Sequence, residues 1–241
     1  MATFVLVHGA WHGGWCWTPL KQRLWALGHK VHAPTLTGLG ERAHLLSADI
    51  TADTHVADIV NTLRWRDLRD VILVGHSYGG MIITGVADRC ADHIRALVYF
   101  DAFVPEQSEQ AIFQNANPER MAAFQRQIDA GAIGLEPDGA SITWAQDPDL
   151  RAYILSKCTP HPKGTFAKGV TLSGRQNEVP HKHYIIAAKN AQSPFQREYD
   201  RLKTRADWTH DTLNTWHDGM LEAPDQMAQM LDRYAKTLLD K

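Results

Sequence analysis

A serine can open an acyl bond when a base takes its proton, a third group holds that base, and hydrogen-bond donors meet the negative charge that develops. The segment Val-Ile-Leu-Val-Gly-His-Ser-Tyr-Gly-Gly, residues 71–80, offers the serine. Ser77 lies between a short β-branched apolar run and a small apolar stretch suited to a closely packed helix, so it is expected at the tip of a strand-to-helix turn. Gly75 and Gly79 flank it because so sharp a turn would bring neighbouring Cβ atoms into collision. The first N–H groups of the helix have no intrahelical partner and aim at developing negative charge. A glycine-rich turn with an incidental serine has the same letters, but the strand before and the helix after favour a nucleophile.

A serine hydroxyl is a poor nucleophile at neutral pH and needs a base that can return the proton to the leaving group. Of the 13 histidines, His217 follows the last expected strand, in Trp-His-Asp-Gly-Met at 216–220, where the base stands in the serine, acid, histidine order that goes with this turn. A solvated loop histidine is the competing reading. The stretch 187–194, after the preceding strand, has no carboxylate and holds Asn190, whose amide can orient an imidazole but stabilises imidazolium far less. The acid is therefore assigned to Asp101, at the carboxyl end of the strand after the nucleophile helix, the edge where active groups gather in open α/β sheets. Asp101 could instead cap a turn before Val104-Pro105, and Asn190 and Asp218 remain the other candidates for its role. The oxyanion donors are expected to be the N–H groups of Tyr78 and Ala10, with Trp11 as a secondary candidate and as a residue against substrate.

These groups need a scaffold. Strand and helix signals alternate in the βαβ manner, which predicts a mostly parallel sheet of about six strands flanked by helices, in one domain spanning 1–241. Strands are expected at 4–7, 30–33, 71–74, 94–100, 183–188 and 211–216. Helices are expected from Thr18-Pro19 to a stop at Gly28, then near 52–65, 81–90, 194–203 and 224–239. From 103 to 180 the alternation stops. An amphipathic stretch at 121–128, turn signals at 137–139, and Trp144, Tyr153 and Phe166 predict a helical cap inserted over the site, setting substrate choice. Trp15 and Trp17 are expected to pack the first helix against the sheet, and His181 and His183 to be surface or strand-end histidines without a nearby Asp, Glu or Cys partner.

Lys+Arg 25 against Asp+Glu 27 gives a net charge of -2, with no basic excess for nucleic acid or an anionic membrane. The expected ligand is small and near neutral. Cys16, Cys90 and Cys158, an odd number without C-x-x-C spacing, are expected to be free thiols. With no charged segment or cleavage site ahead of the first strand and no apolar run of membrane length, a cytoplasmic location is expected. No phosphate loop or dinucleotide fingerprint is present, so no cofactor is implied, nor any metal. Oligomeric state is open, a homodimer included.

The chain resembles the α/β-hydrolase superfamily over nearly its full length, and within it the branch of plant methylesterases and hydroxynitrile lyases with related bacterial esterases. The likeness is carried by Phe-Val-Leu-Val-His-Gly-Ala-Trp-His-Gly-Gly-Trp-Cys-Trp at 4–17, the loop at 34–42, the Ser77 turn, and His-Asp-Gly-Met-Leu at 217–221. It implies Ser77 as nucleophile, His217 as base, and Ala10 with Tyr78 as oxyanion donors. The chain departs from the plant pattern at Asn190, where those enzymes carry their aspartate; the bacterial relatives share the Asp-Ala-Phe-Val-Pro run at 101–105. The lyases of the branch use a lysine after the histidine and a threonine in the first oxyanion loop, places held here by Asp218 and Gly9. A carboxylate there would repel cyanide and glycine has no hydroxyl, so the expectation is a serine hydrolase acting on a small carboxylic ester, or an amide or carbamate. Hydroxynitrile-lyase-like C–C cleavage and a non-catalytic small-ligand receptor are the alternatives.

Overall fold

The computed structural model describes residues 1–115, 118–137, 145–189 and 193–239. The expected turn signals at 138–139, Trp144 and Asn190 lie outside the described residues.

In chain order the elements are β1 (Thr3–Val7), α1 (Thr18–Ala26), β2 (Lys30–His32), α2 (Ala52–Trp65), β3 (Val71–His76), α3 (Gly79–Cys90) and β4 (Ile94–Phe100). Then come α4 (Pro118–Asp129), β5 (Gly134–Leu135), α5 (Pro148–Lys157), β6 (His161–Pro162) and α6 (Gly164–Ala167). The chain closes with β7 (His181–Ala187), α7 (Gln196–Leu202), β8 (Thr209–Leu213), α8 (Gly219–Glu222) and α9 (Pro224–Leu239).

Six strands form one sheet in the order β2-β1-β3-β4-β7-β8, and each neighbouring pair is parallel. β3 is buried along its whole length, as its unbroken apolar run requires of a central strand covered on both faces. On one face Leu20 and Leu24 of α1 and Met227 and Leu231 of α9 pack with Trp17 against Phe4, Leu6 and Val98. On the other, Val56 and Ile59 of α2 and Met81 and Ile82 of α3 pack against Val5, Val7 and Leu73. Those alternating strand residues explain why helices are needed on both sides. The ends of α1 and α2 follow their punctuation: Gly28 takes φ +86° just beyond α1, and Thr51 with Thr54 forms a capping box at the start of α2.

Two sequence expectations shift. β8 starts two residues and ends three residues earlier than expected, because this edge strand is exposed over most of its length and carries no apolar rhythm to fix its register. The stretch expected to lack strands contains the two-residue pair β5–β6, antiparallel through Leu135 and His161. The same stretch is anchored on α3, whose Asp88 carboxylate accepts N–H bonds from Ser173, Gly174 and Arg175 at 2.9–3.0 Å. His183 is also no surface group, since it is buried, stacks on Tyr234, and meets Asp211 of the adjacent strand at 3.3 Å. Its partner arrives through strand pairing, which local sequence does not display.

Candidate active site

Ser77 sits at the end of β3 with φ +55°, a left-handed conformation that a serine adopts only when the surroundings impose it. Its N–H donates to the Phe100 carbonyl at 3.3 Å, and its own carbonyl accepts from Phe103 N–H at 3.1 Å, so the turn is tied to the end of β4. The turn also needs room: a Cβ on Gly79 would lie 2.5 Å from the Val7 carbonyl oxygen, too close for any side chain. α3 therefore starts hard against the end of β1.

Asp101 follows β4 directly, is fully buried, and takes φ +41°. Its N–H donates to Ile185 O at 2.8 Å, and one carboxylate oxygen accepts from Ala187 N–H at 3.4 Å. The next peptide is clamped by Tyr184, whose hydroxyl donates to Ala102 O at 2.8 Å and accepts from Ala102 N–H at 3.0 Å. These contacts aim the second carboxylate oxygen at His217 Nδ1, 2.5 Å away. The His217 ring is held on its faces as well, stacked on Phe195 at 5.3 Å between centroids and lying 4.4 Å from the His76 ring. With Nδ1 directed to a carboxylate, Nε2 is the nitrogen left for substrate chemistry.

At the end of β1 the chain turns through Gly9, Ala10 and Trp11, with Trp11 at φ +63°. Trp11 N–H donates to His161 Nδ1 at 3.3 Å, so the secondary oxyanion candidate is already engaged. Neither Ala10 N–H nor Tyr78 N–H has an acceptor among the described residues. The Tyr78 side chain turns away into the core, its hydroxyl donating to His55 Nδ1 at 2.8 Å while His55 Nε2 donates to Thr37 O at 2.8 Å. His8 is fixed similarly, donating from Nδ1 to Gly9 O at 2.8 Å and accepting Leu36 N–H at Nε2 at 3.0 Å. Burial pushes His8 down to about 3 and His55 down to about 4, so both work as neutral linkers.

A cleft opens over these groups, lined by Gly9, Ala10, Trp11, Ser77, Arg120 and His217 among others. Ser77 and His217, distant in sequence, thus share one cavity with the Ala10 loop. Trp11 fills its side of the wall, with its indole N–H on Leu135 O at 2.8 Å and its ring against Phe124 and Phe166. The Arg120 guanidinium lies 5.6 Å from the Trp11 ring centroid.

Asp218, weighed as an alternative acid, does not line the cleft. It is fully buried and faces His12, with Oδ1 3.4 Å from His12 Nε2. Burial disfavours its charge, yet His12 holds its carboxyl well below the usual carboxylate range. Its charge, expected to repel an anion in the site, is turned toward the His12 imidazole. Sequence reading also missed Phe195, Arg120, His12 and His76 as site-shaping residues. Phe195 follows β7 at the active edge of the sheet, a placement that could have flagged it; the others had no local signal. Among the described residues no group of three or more His, Cys, Asp or Glu is arranged to hold a metal ion.

Residues 4–230 match the Alpha/beta hydrolase family. The chain is 39% identical over 239 residues to the carbendazim hydrolyzing esterase of Nocardioides sp. (strain SG-4G), across 96% of this chain and 98% of that protein. It is 39% identical over 104 residues to the alpha-hydroxynitrile lyase of Arabidopsis thaliana, across 43% of this chain and 40% of that protein. An extracellular alpha/beta-hydrolase from a Paenibacillus species superposes with a TM-score of 0.84 at 22% identity, covering 97% of this chain and 98% of that one, a likeness of fold.

Proposed function

The chain belongs to the alpha/beta hydrolase family, and on that premise we propose that it is a serine hydrolase that cleaves a small carboxylic ester, or a related amide or carbamate, through an acyl-enzyme. Its class, a carboxylic ester hydrolase, follows from an esterase relative aligned over 96% of the chain. In the proposed mechanism His217 Nε2 takes the Ser77 proton as the hydroxyl attacks the substrate carbonyl, and Asp101 holds Nδ1–H and stabilises the imidazolium. The Ala10 and Tyr78 N–H groups receive the oxyanion, which is where two amides without acceptors at a strand end and a helix start are useful. His217 then gives the proton to the leaving group, and water repeats the sequence to release the acid. The observation that carries this reading is the buried Asp101–His217 pair, 2.5 Å apart, opening onto the cleft that also holds the backbone-strained Ser77.

Residues 103–180 act in this reading as a cap. Phe124 and Phe166 from that stretch close over Trp11, and Thr159 N–H bonds the Trp11 carbonyl at 3.0 Å, so cap and donor loop are joined. Among the described residues no helix is long and apolar enough to cross a membrane. The free thiols of Cys16, Cys90 and Cys158 support a cytoplasmic location as part of the proposal.

Lyase chemistry finds less support. The place after the histidine holds Asp218 rather than a cation, and Gly9 has no hydroxyl; an added Cβ there would stand 3.0 Å from Ser77 Cβ. The test is a stopped-flow burst of p-nitrophenol from p-nitrophenyl acetate, followed by a panel of esters, carbamates and carbendazim itself. A burst that Ser77→Ala abolishes is the expected result. Turnover that survives Ser77→Ala overturns the serine reading, and cyanide release from mandelonitrile would favour the lyase.

A further inference from the structure

We propose that His12 is a positioning residue that ties the Ala10 loop to Asp218, the chain neighbour of His217, so that the oxyanion donors and the base move as one body. The proposal rests on the serine-hydrolase reading above and adds to it a part that neither donates nor accepts a proton in the reaction.

The His12 ring bridges the two loops. Its Nδ1 donates to the Ala10 carbonyl at 2.7 Å; a carbonyl can only accept, so Nδ1 carries a proton. Its Nε2 faces the Asp218 carboxylate at 3.4 Å, and a carboxylate opposite a bare nitrogen lone pair would be repulsive, so Nε2 carries a proton too. The ring is therefore an imidazolium clasped between one carbonyl and one carboxylate. Both partners are buried, His12 at 2% exposure and Asp218 at 0%, and the ring stacks on Trp15 at 5.2 Å, which fixes its plane. On the far side His76 Nε2 donates to the His217 carbonyl at 3.0 Å and lies 3.9 Å from Asp218, closing the path from the Ala10 loop to the main chain of His217.

Electrostatics agrees with this charge assignment. Burial works against charge on His12, but Asp218 outweighs it and raises the imidazole above its ordinary value. The other ionisable groups within reach are His8 and His161 near the donor loop, His76, His217 and Glu222 on the base side, and the thiols of Cys16 and Cys158. Burial pushes His8 down to about 3, His161 well below its ordinary value and the Cys158 thiol up to about 12, so these three stay neutral.

A tie of this kind matters because oxyanion donors act only when they sit within a few tenths of an ångström of the developing charge, and a misplacement of about 1 Å costs about 100-fold. The test compares Asp218→Asn with the double variant His12→Phe/Asp218→Asn. The asparagine keeps a polar oxygen facing the His12 ring, whereas phenylalanine keeps the stack on Trp15 but removes both ends of the bridge without leaving a buried carboxylate beside an apolar ring. Per active site counted by burst titration, the double variant is expected to have a kcat about 10- to 100-fold below that of Asp218→Asn with little change in KM, because the lost alignment serves the transition state. A purely structural pair would lower Tm and leave kcat per titrated site equal in the two variants, and that equality overturns the proposal.

A second measurement needs no variant: nitrogen chemical shifts of the wild-type imidazoles are expected to find both ring nitrogens of His12 protonated at pH 7. A neutral His12 at that pH overturns the proposal even if the double variant fails to fold. Ser77→Ala separates this failure from a wider one, since equal kcat in the two variants with Ser77→Ala inactive removes only the role of His12.

Discussion

Replacing Asp101 by Asn exchanges one carboxylate oxygen for an NH2 group and removes the charge with almost no change of volume, which makes it the sharpest probe of the Asp101–His217 pair. In the parent, one carboxylate oxygen accepts Ala187 N–H at 3.4 Å and the other accepts His217 Nδ1–H at 2.5 Å. An asparagine amide has a single oxygen, and Ala187 N–H is a fixed backbone donor, so the oxygen turns to Ala187 and the amide NH2 turns to His217. A donor facing Nδ1 forces the imidazole proton onto Nε2, the nitrogen that must be bare to accept from Ser77. The base is then in the wrong tautomer, and the imidazolium it must become loses its buried counter-charge. The equivalent change in a Ser-His-Asp hydrolase costs about 10,000-fold in kcat, or about 5 kcal/mol of barrier at 1.36 kcal/mol per tenfold. The assay is steady-state and stopped-flow hydrolysis of p-nitrophenyl acetate, with thermal melts to verify folding and a fluorophosphonate to verify that Ser77 is still labelled, more slowly. A folded Asp101→Asn protein that turns over near the parent rate would refute the assignment.

Three further outcomes follow from the same geometry. Gly79→Ala places a Cβ 2.5 Å from the Val7 carbonyl and 2.8 Å from that of His8, and overpacking against backbone is expected to cost about 1–3 kcal/mol; a differential scanning melt unchanged from the parent would contradict it. Gly9→Thr, which restores the lyase-type residue, sets a Cβ 3.0 Å from both His76 Nδ1 and Ser77 Cβ, so esterase kcat is expected to fall without any gain of cyanide release, and a gain of mandelonitrile cleavage would count against the hydrolase reading. Stability should fall as pH drops from about 6.5 toward 4, because burial keeps His8 and His55 neutral down to about 3 and about 4, and His76 and His161 well below the ordinary value, while the unfolded chain protonates them all. His12 has the opposite sign, its pair being present at low pH and lost as pH rises through its raised value, but it is one group against four. Urea melts between pH 7 and 4.5 check this, and a flat or rising midpoint contradicts it.

What the sequence disclosed and what it concealed divide along physical lines. β3 and β4 were readable because central strands buried on both faces carry continuous apolar runs, Val71–Val74 and Ala96–Phe100, and α1 because Gly28 ends it in a conformation favouring glycine. The expected positions of Ser77 and Asp101 directly after β3 and β4, and of His217 in the loop beyond β8, match the structure, because that edge of the sheet is where the fold gathers such groups. β8 slipped by two residues at its start and three at its end because an exposed edge strand carries no such rhythm. Within 103–180 only α4 was legible, from its amphipathic stretch at 121–128; β5 and β6 are held by each other and by the Trp11 indole on Leu135 O, and residues 173–175 by Asp88, long-range contacts that leave no local rhythm. His12 and Asp218 concealed their meeting for the same reason: a contact between positions so far apart is made by the sheet, and neither residue's neighbours announce it.

The claim on which the rest depends is that the Ser77 oxygen becomes covalently acylated during turnover. Quenching the reaction of a slowly released p-nitrophenyl ester in its burst phase and mapping the digest by mass spectrometry tests this directly. One acyl group on the peptide containing Ser77, absent in Ser77→Ala, is the predicted result; full turnover with that serine unmodified throughout, or an acyl group carried on a different residue, would contradict it.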